Sequence, residues 1–140
     1  MVRIVTTHSA PETYELGKKF GEKLLQNSVV CFFGDLGAGK TTFIKGLAAG
    51  VLGGEADEVS SPTFTYLNVY HGIKTLYHFD LYRLRDADEF LSMGFDEFFD
   101  AGGISCLEWA EKIARLIPDG AITVKMCHLG GDQRTVEISS

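Results

Sequence analysis

The sequence predicts an α/β fold in a single domain, and three observations carry the prediction. A short apolar run rich in β-formers, Ser28 to Phe33, leads directly into a glycine-rich loop and then into a stretch of helical spacing. Two later runs of the same kind, Lys74 to Asp80 and Ile104 to Leu107, are each followed by a helix-like segment. With 140 residues and 45% apolar content the chain can bury one core, about 70% of its unfolded surface, with no room for a second domain.

Composition excludes several functions. No apolar run approaches the roughly 20 residues of a membrane span, and Met1 to Glu12 lacks the apolar core of a signal peptide, so a cytoplasmic protein without membrane contact is expected. A formal net charge of −6 argues against a chain that grips nucleic acid by itself, because neutralisation of phosphates by Lys and Arg dominates such binding. Any contact with RNA has to come largely through a partner. Cys31, Cys106 and Cys127 are odd in number, far apart and each within an apolar strand-like run. Neither a disulfide framework nor a metal spacing is available, and all three read as buried small hydrophobes.

Taken in order, Met1 to Thr7 alternates weakly, as a short edge strand would. Ser9-Ala-Pro-Glu12 has the form of a capping box with proline in the first turn, and Leu16, Phe20 and Leu24 make one helical stripe of core residues through about Gln26. Lys18, Lys19 and Lys23 lie off that stripe, as a solvated face. The next stretch is the one the rest of the chain must serve. GDLGAGKTT, Gly34 to Thr42, fits G-x-x-x-x-G-K-[ST] with Gly34, Gly39, Lys40 and Thr41 on the fixed positions. Glycines let successive amides point into one concavity, and the following helix adds its N-terminal partial positive charge to the same place. A triphosphate suits such a nest. Lys40 would reach the outer phosphates as a mobile charge, and the Thr41 hydroxyl would take one position on Mg²⁺. Phe43, Leu47 and Val51, four apart, give the following helix its buried face, and Gly53-Gly54 ends it.

Ser60-Ser61-Pro62 favours an extended turn, and Thr63 onward is β-rich as far as a tight turn at His71-Gly72. That hydroxyl-rich turn is either a segment ordered by a γ-phosphate or an ordinary entry to a hairpin. On the returning strand His78, Asp80 and Tyr82 share one face and Tyr77, Phe79 and Leu81 the other. Asp80 either faces the nucleotide, where a metal or an attacking water offsets its desolvation, or pairs with Arg83 or Arg85. His78 reads as a hydrogen-bonded packing residue. Asp86-Ala-Asp-Glu89 opens a second helix, and Phe90 to Phe99 holds more apolar residues than one amphipathic face needs, so that core and an exposed docking patch share them. Asp100 to Gly103 matches D-x-x-G by spacing only, and no guanine-reading [NT]-K-x-D occurs. Glu108 ends a buried-type strand, where a Walker-B-type carboxylate would complete a Mg²⁺ shell directly or through water. Trp109, the only tryptophan, is either a lid over the nucleotide or a packing residue. Ala110 to Ile117 reads as a short helix closed by Pro118, and the final two β-rich runs form a hairpin in which Arg134 either leans towards a bound phosphate or, the preferred reading, lies on the surface.

Four blocks, GDLGAGKTT at Gly34 to Thr42, SPTFTY at Ser61 to Tyr66, HFDLYRL at His78 to Leu84 and LEWAEK at Leu107 to Lys112, occur in an order and spacing that resembles the TsaE family. That family is the small bacterial ATPase of tRNA threonylcarbamoyladenosine synthesis. The resemblance implies a P-loop NTPase-like mixed β-sheet flanked by helices, with ATP and Mg²⁺ as ligands. It also implies a place beside the TsaD transferase and its partner TsaB, with tRNA met only through that complex. Carried over by position, Gly37, Ala38, Gly39, Lys40, Thr41 and Thr42 would hold the phosphates, Thr41 and Glu108 the metal, and Asp80 would serve hydrolysis. ATP turnover in that family is thought to reset the transferase complex. One departure is Phe64, where the family commonly has tyrosine. A reading of another class, a small-molecule kinase of the same fold with Arg83 and Arg85 as lid residues, is the alternative.

Overall fold

A computed structural model describes residues 1–34, 39–54 and 66–140. The expectations on Gly37 and Ala38 and on the Ser61 to Thr65 segment, Phe64 included, fall outside the described residues.

The chain alternates as the patterning predicts: β1 Val2–Thr7, α1 Ala10–Glu22, β2 Val29–Gly34, α2 Lys40–Leu52, β3 Leu67–His71, β4 Thr75–Asp80, α3 Ala87–Ser92, β5 Ile104–Glu108, β6 Ile122–Gly130 and β7 Gln133–Ser139. Two 3₁₀ segments, Phe95–Asp100 and Ala110–Leu116, flank β5. The strands make one seven-stranded sheet ordered β1-β7-β6-β2-β5-β4-β3. β2 runs parallel to both β5 and β6, and β4 parallel to β5, while β1, β3 and β7 pair antiparallel. The sheet is therefore mixed, and its central strands β2, β5 and β4 are largely buried on both faces.

Side-chain alternation splits the core in two. Val30 and Phe32 point to α1 and α2, joining Phe43, Leu47, Leu76, Ile104, Val124 and Met126. Val29, Cys31, Phe79 and Leu107 point the other way, to α3 and the 3₁₀ segments. Phe79 alone has the rings of Phe90, Phe95, Phe98 and Phe99 within 5.5–6.4 Å. This cluster absorbs most of the aromatic density of Phe90 to Phe99, leaving Leu91 and Met93 as its exposed members.

Four expectations need correction. α1 stops at Glu22, short of Gln26, and its most buried residues are Thr13, Gly17 and Gly21, because it meets α2 backbone to backbone. The apolar stripe is secondary, with Leu24 buried beyond the helix end and Leu16 and Phe20 packed at the cluster's rim. Phe90 to Phe99 is broken by Gly94 at φ 73°, a left-handed turn that ends α3 and starts the first 3₁₀ segment. Ala110–Leu116 is two 3₁₀ turns kinked at Ile113 (φ −127°, ψ 33°), which drops that side chain fully into the second core. Cys127, finally, is exposed. It alternates with the buried Val124 and Met126 and so faces the side of β6 that no helix covers.

Candidate nucleotide site

The central position of β2 sets the geometry. Leaving the sheet, the chain passes Gly34 at φ 146°, where a Cβ would stand 2.4 Å from the carbonyl oxygen of Met126 on the neighbouring strand. Only glycine lets the loop depart there. α2 begins after its N-cap Gly39, which has φ 91°. This cap supplies no side-chain hydrogen bond, and no acidic residue lies in the first turn. Among the described residues no side chain caps the first amides of this 13-residue helix, a helix start suited to an anion in front of it.

Two acids stand beside that helix start. In the parallel pairing of β4 with β5, Asp80 lies opposite Glu108, and in the pairing of β5 with β2, Glu108 lies opposite Phe32. Both carboxylates therefore emerge at the C-terminal edge of the sheet, one and two strands from the loop. Their surroundings differ. Glu108 is buried, and its Oε2 accepts a hydrogen bond from Nε2 of the equally buried His78 at 2.9 Å. Asp80 is half-buried and its Oδ1 accepts from the amide of Tyr82 at 3.1 Å. Burial pushes the Asp80 carboxyl above the usual carboxylate range; the negative Glu108 adds to the rise, while the Tyr82 amide and Lys40 oppose it. Arg85 is not its partner, since that guanidinium meets Asp86 at 3.5 Å.

Lys40 is half-buried, its Nζ 5.5 Å from the centroid of the Trp109 ring. Trp109 holds a left-handed φ of 62° and its ring lies 5.0 Å from that of Tyr82. The packing reading of the tryptophan is met, since it borders the second core, and its ring also faces Lys40. Thr41 is exposed, and Thr42 is half-buried. On the far side of the helix start a shallow cavity is lined by Ala10, Thr13, Gly39, Thr42, Asp132 and Arg134. Arg134 is not the free surface residue expected. Its Nε is buried without a hydrogen-bond partner among the described residues, about where a Cβ on Gly39 would touch it, and Nη1 donates to the carbonyls of Gly131 and Gln133 at 3.0 Å each.

Oxygen donors dominate the edge: the Thr41 hydroxyl, Glu108 and Asp80. No group of three or more His, Cys, Asp and Glu able to enclose a metal occurs among the described residues. That donor set fits Mg²⁺, which is held by one or two protein oxygens and completed by phosphate oxygens and water, and does not fit a metal caged by protein alone. Three parts of the edge were not assigned from sequence. The tie between His78 and Glu108 required knowing that β4 and β5 are neighbours, although the shared parity of His78 and Asp80 pointed there. Thr13 and Arg134 lie far from the loop in sequence and reach it only through packing.

A family model described as "Threonylcarbamoyl adenosine biosynthesis protein TsaE" matches residues 7–136. The chain is 40% identical over 133 residues to the tRNA threonylcarbamoyladenosine biosynthesis protein TsaE of Treponema pallidum, covering 95% of this chain and 97% of that one. It is 36% identical to the protein of the same name from Bacillus subtilis, covering 96% and 83%. Among solved structures, the crystal structure of Bacillus subtilis YdiB superposes with a TM-score of 0.78 at 33% identity, over 99% of this chain and 86% of that one. No helix among the described residues is long and apolar enough to cross a membrane.

Proposed function

This chain belongs to the TsaE family of tRNA threonylcarbamoyladenosine biosynthesis proteins, and from that premise we propose that it binds and hydrolyses Mg²⁺-ATP to regulate or reset the TsaD–TsaB transferase complex. One observation carries the reading: the parallel register of β4 and β5 brings Asp80 and Glu108 side by side at the sheet edge onto which the uncapped α2 and its Lys40 open. The free amides of α2 and the Lys40 ammonium hold the phosphates. Thr41 and Glu108 hold the metal, which when bound neutralises charge growing on the phosphate oxygens. Asp80 differs from Glu108 in a useful way. Half-buried and with its affinity for a proton raised, it is suited to orient a water and accept its proton.

Slow turnover alone is expected. Arg134 is tied back to its own hairpin, and an arginine positioned on the transferring phosphate contributes about 10³–10⁵ in rate. The partner complex is the source of that stimulation, and tRNA is met through it. The test is phosphate release from Mg²⁺-ATP measured with and without TsaD–TsaB, beside nucleotide titration of Lys40→Ala. Stimulation, and an affinity loss of about 10- to 100-fold, worth about 1.5–3 kcal/mol of charge-assisted hydrogen bonding, are expected. Equal turnover with and without the complex would defeat the regulatory role. Phosphate recovered on a small-molecule acceptor would favour the kinase alternative.

A further inference from the structure

His78 is a fully buried polar side chain beside the acids. It lies 2% exposed, two positions before Asp80 on the same strand face, opposite Cys106, and reaches along the sheet to Glu108 on β5. An apolar side chain would fill that space at less desolvation cost, so the imidazole needs a reason. Its two nitrogens supply one. Nε2 meets Glu108 Oε2 at 2.9 Å, whereas Nδ1 is buried with no partner among the described residues. A carboxylate can only accept, so Nε2 carries the hydrogen. With Nε2 protonated, a neutral ring leaves a bare lone pair at Nδ1, which is tolerated better than an orphaned N–H. Among the described residues, the contact with Glu108 alone thus selects one tautomer.

From this arrangement we propose that His78 is a positioning residue for Glu108: by donating from Nε2 it ties one carboxylate oxygen and turns the other towards the metal held with the nucleotide. The inference rests on the Mg²⁺-ATP reading of the site. It explains how two acids on adjacent strand ends come to differ. Glu108 is anchored by a side chain from below and is fixed in direction, whereas among the described residues the anchor of the Asp80 carboxylate is the amide of Tyr82, two residues on. Hydrogen-bonded support of a metal-bound carboxylate is worth about 10- to 100-fold in metal affinity. Without it, Glu108 could rotate, and like-charge repulsion would turn it away from Asp80.

The experiment uses the whole chain with ADP, Mn²⁺ as the spectroscopic probe, and two variants. In His78→Gln the amide nitrogen falls close to the position of Nε2, so Mn²⁺ affinity in the presence of ADP should stay within about threefold of wild type. In His78→Asn the amide stops short, and Mn²⁺ affinity should fall about 10- to 100-fold while metal-free ADP affinity is kept. Equal Mn²⁺ affinity in His78→Asn and wild type, or an equal loss in both variants, would overturn the proposal, the second outcome marking a packing role. A two-bond ¹H–¹⁵N spectrum of the unmodified protein gives a reading independent of how the variants fold. The Nε2–H tautomer is expected, and the Nδ1–H tautomer would overturn the proposal outright. Absence of ADP-dependent Mn²⁺ binding in wild type would instead overturn the Mg²⁺-ATP reading beneath it.

Discussion

Gly46→Ala tests whether the nucleotide helix is seated by direct contact of two backbones. A Cβ built on Gly46 of α2 would lie 2.0 Å from the carbonyl oxygen of Tyr14 on α1. The closest C–H···O approaches are about 3.3 Å, so the helices must part by roughly 1 Å or more. Nothing nearby can yield by turning a side chain. At Gly17, Gly21 and Gly50 the same test finds Phe43 O, Leu47 O and Lys18 O at 2.2–2.3 Å, so the contact is rigid on both sides along the helices. Alanine gains about 1 kcal/mol over glycine in helix propensity. Overpacking costs about 1–3 kcal/mol, and a backbone-on-backbone clash belongs at the upper end. A net loss of about 2 kcal/mol is expected, or a Tm lower by about 6–8 °C at this chain length. Thermal and urea unfolding followed by far-UV circular dichroism read it directly. Gly120→Ala, where no atom lies within 4 Å, is the control and should stay within about 0.5 kcal/mol of wild type. Gly46→Ala at or above wild-type stability would refute the reasoning. Because α2 presents Lys40 and Thr41, nucleotide affinity should fall with stability.

Two further outcomes follow from burial. The Asp80 carboxyl titrates above its ordinary value of 3.8 when folded, so the unfolded chain gives up that proton first as pH rises. Stability is therefore lost between the two values and stays lost at neutral pH. Asp80→Asn should unfold at higher urea than wild type at pH 7, with a flatter pH dependence above pH 4 and much slower turnover; a lower midpoint at pH 7 would show the carboxylate to be structural. For the thiols, burial pushes Cys31 up to about 12 and Cys106 further still, while Cys127 is exposed. A disulfide reagent at pH 8 should titrate one thiol in the folded protein and all three in denaturant. Two or more fast thiols in the folded state would mean that the β5 or β2 face opens readily.

Patterns confined to one element or to one hairpin were legible in the sequence; most contacts between elements distant in the chain were not. Ser9 and Asp86 cap α1 and α3 as their spacing predicts, accepting from the amides of Glu12 and Glu89. The glutamates of both capping sequences reach one residue further back than expected, to the amides of His8 and Arg85. The hairpin of β6 and β7 and the edge position of β1 were likewise readable. Cys127 was misjudged because hydrophobic alternation tells which residues share a face, not whether anything covers it. The length of the helix after Asp86 was misjudged because Gly94 acts through φ, and aromatic density masked the break.

The site shows the same division more sharply. Glycine-rich spacing identified the loop, since Gly34 and Gly39 are demanded by local backbone conformation, which a short window encodes. Asp80 and Glu108 were found by a weaker rule, that acids ending apolar strands need a reason, and sequence left their roles interchangeable. Strand order breaks that symmetry. β5 lies between β2 and β4, so Glu108 is hemmed on both sides and buried, while Asp80, one strand further out and next to the antiparallel β3, keeps access to solvent. β2 has β6 on its other flank, and the loop leaves from this divide, the usual place for a ligand in an open α/β sheet. The asymmetry between the two acids, one buried and tied to His78 and the other half-buried, thus comes from the order of three strands, which no local run of residues contains.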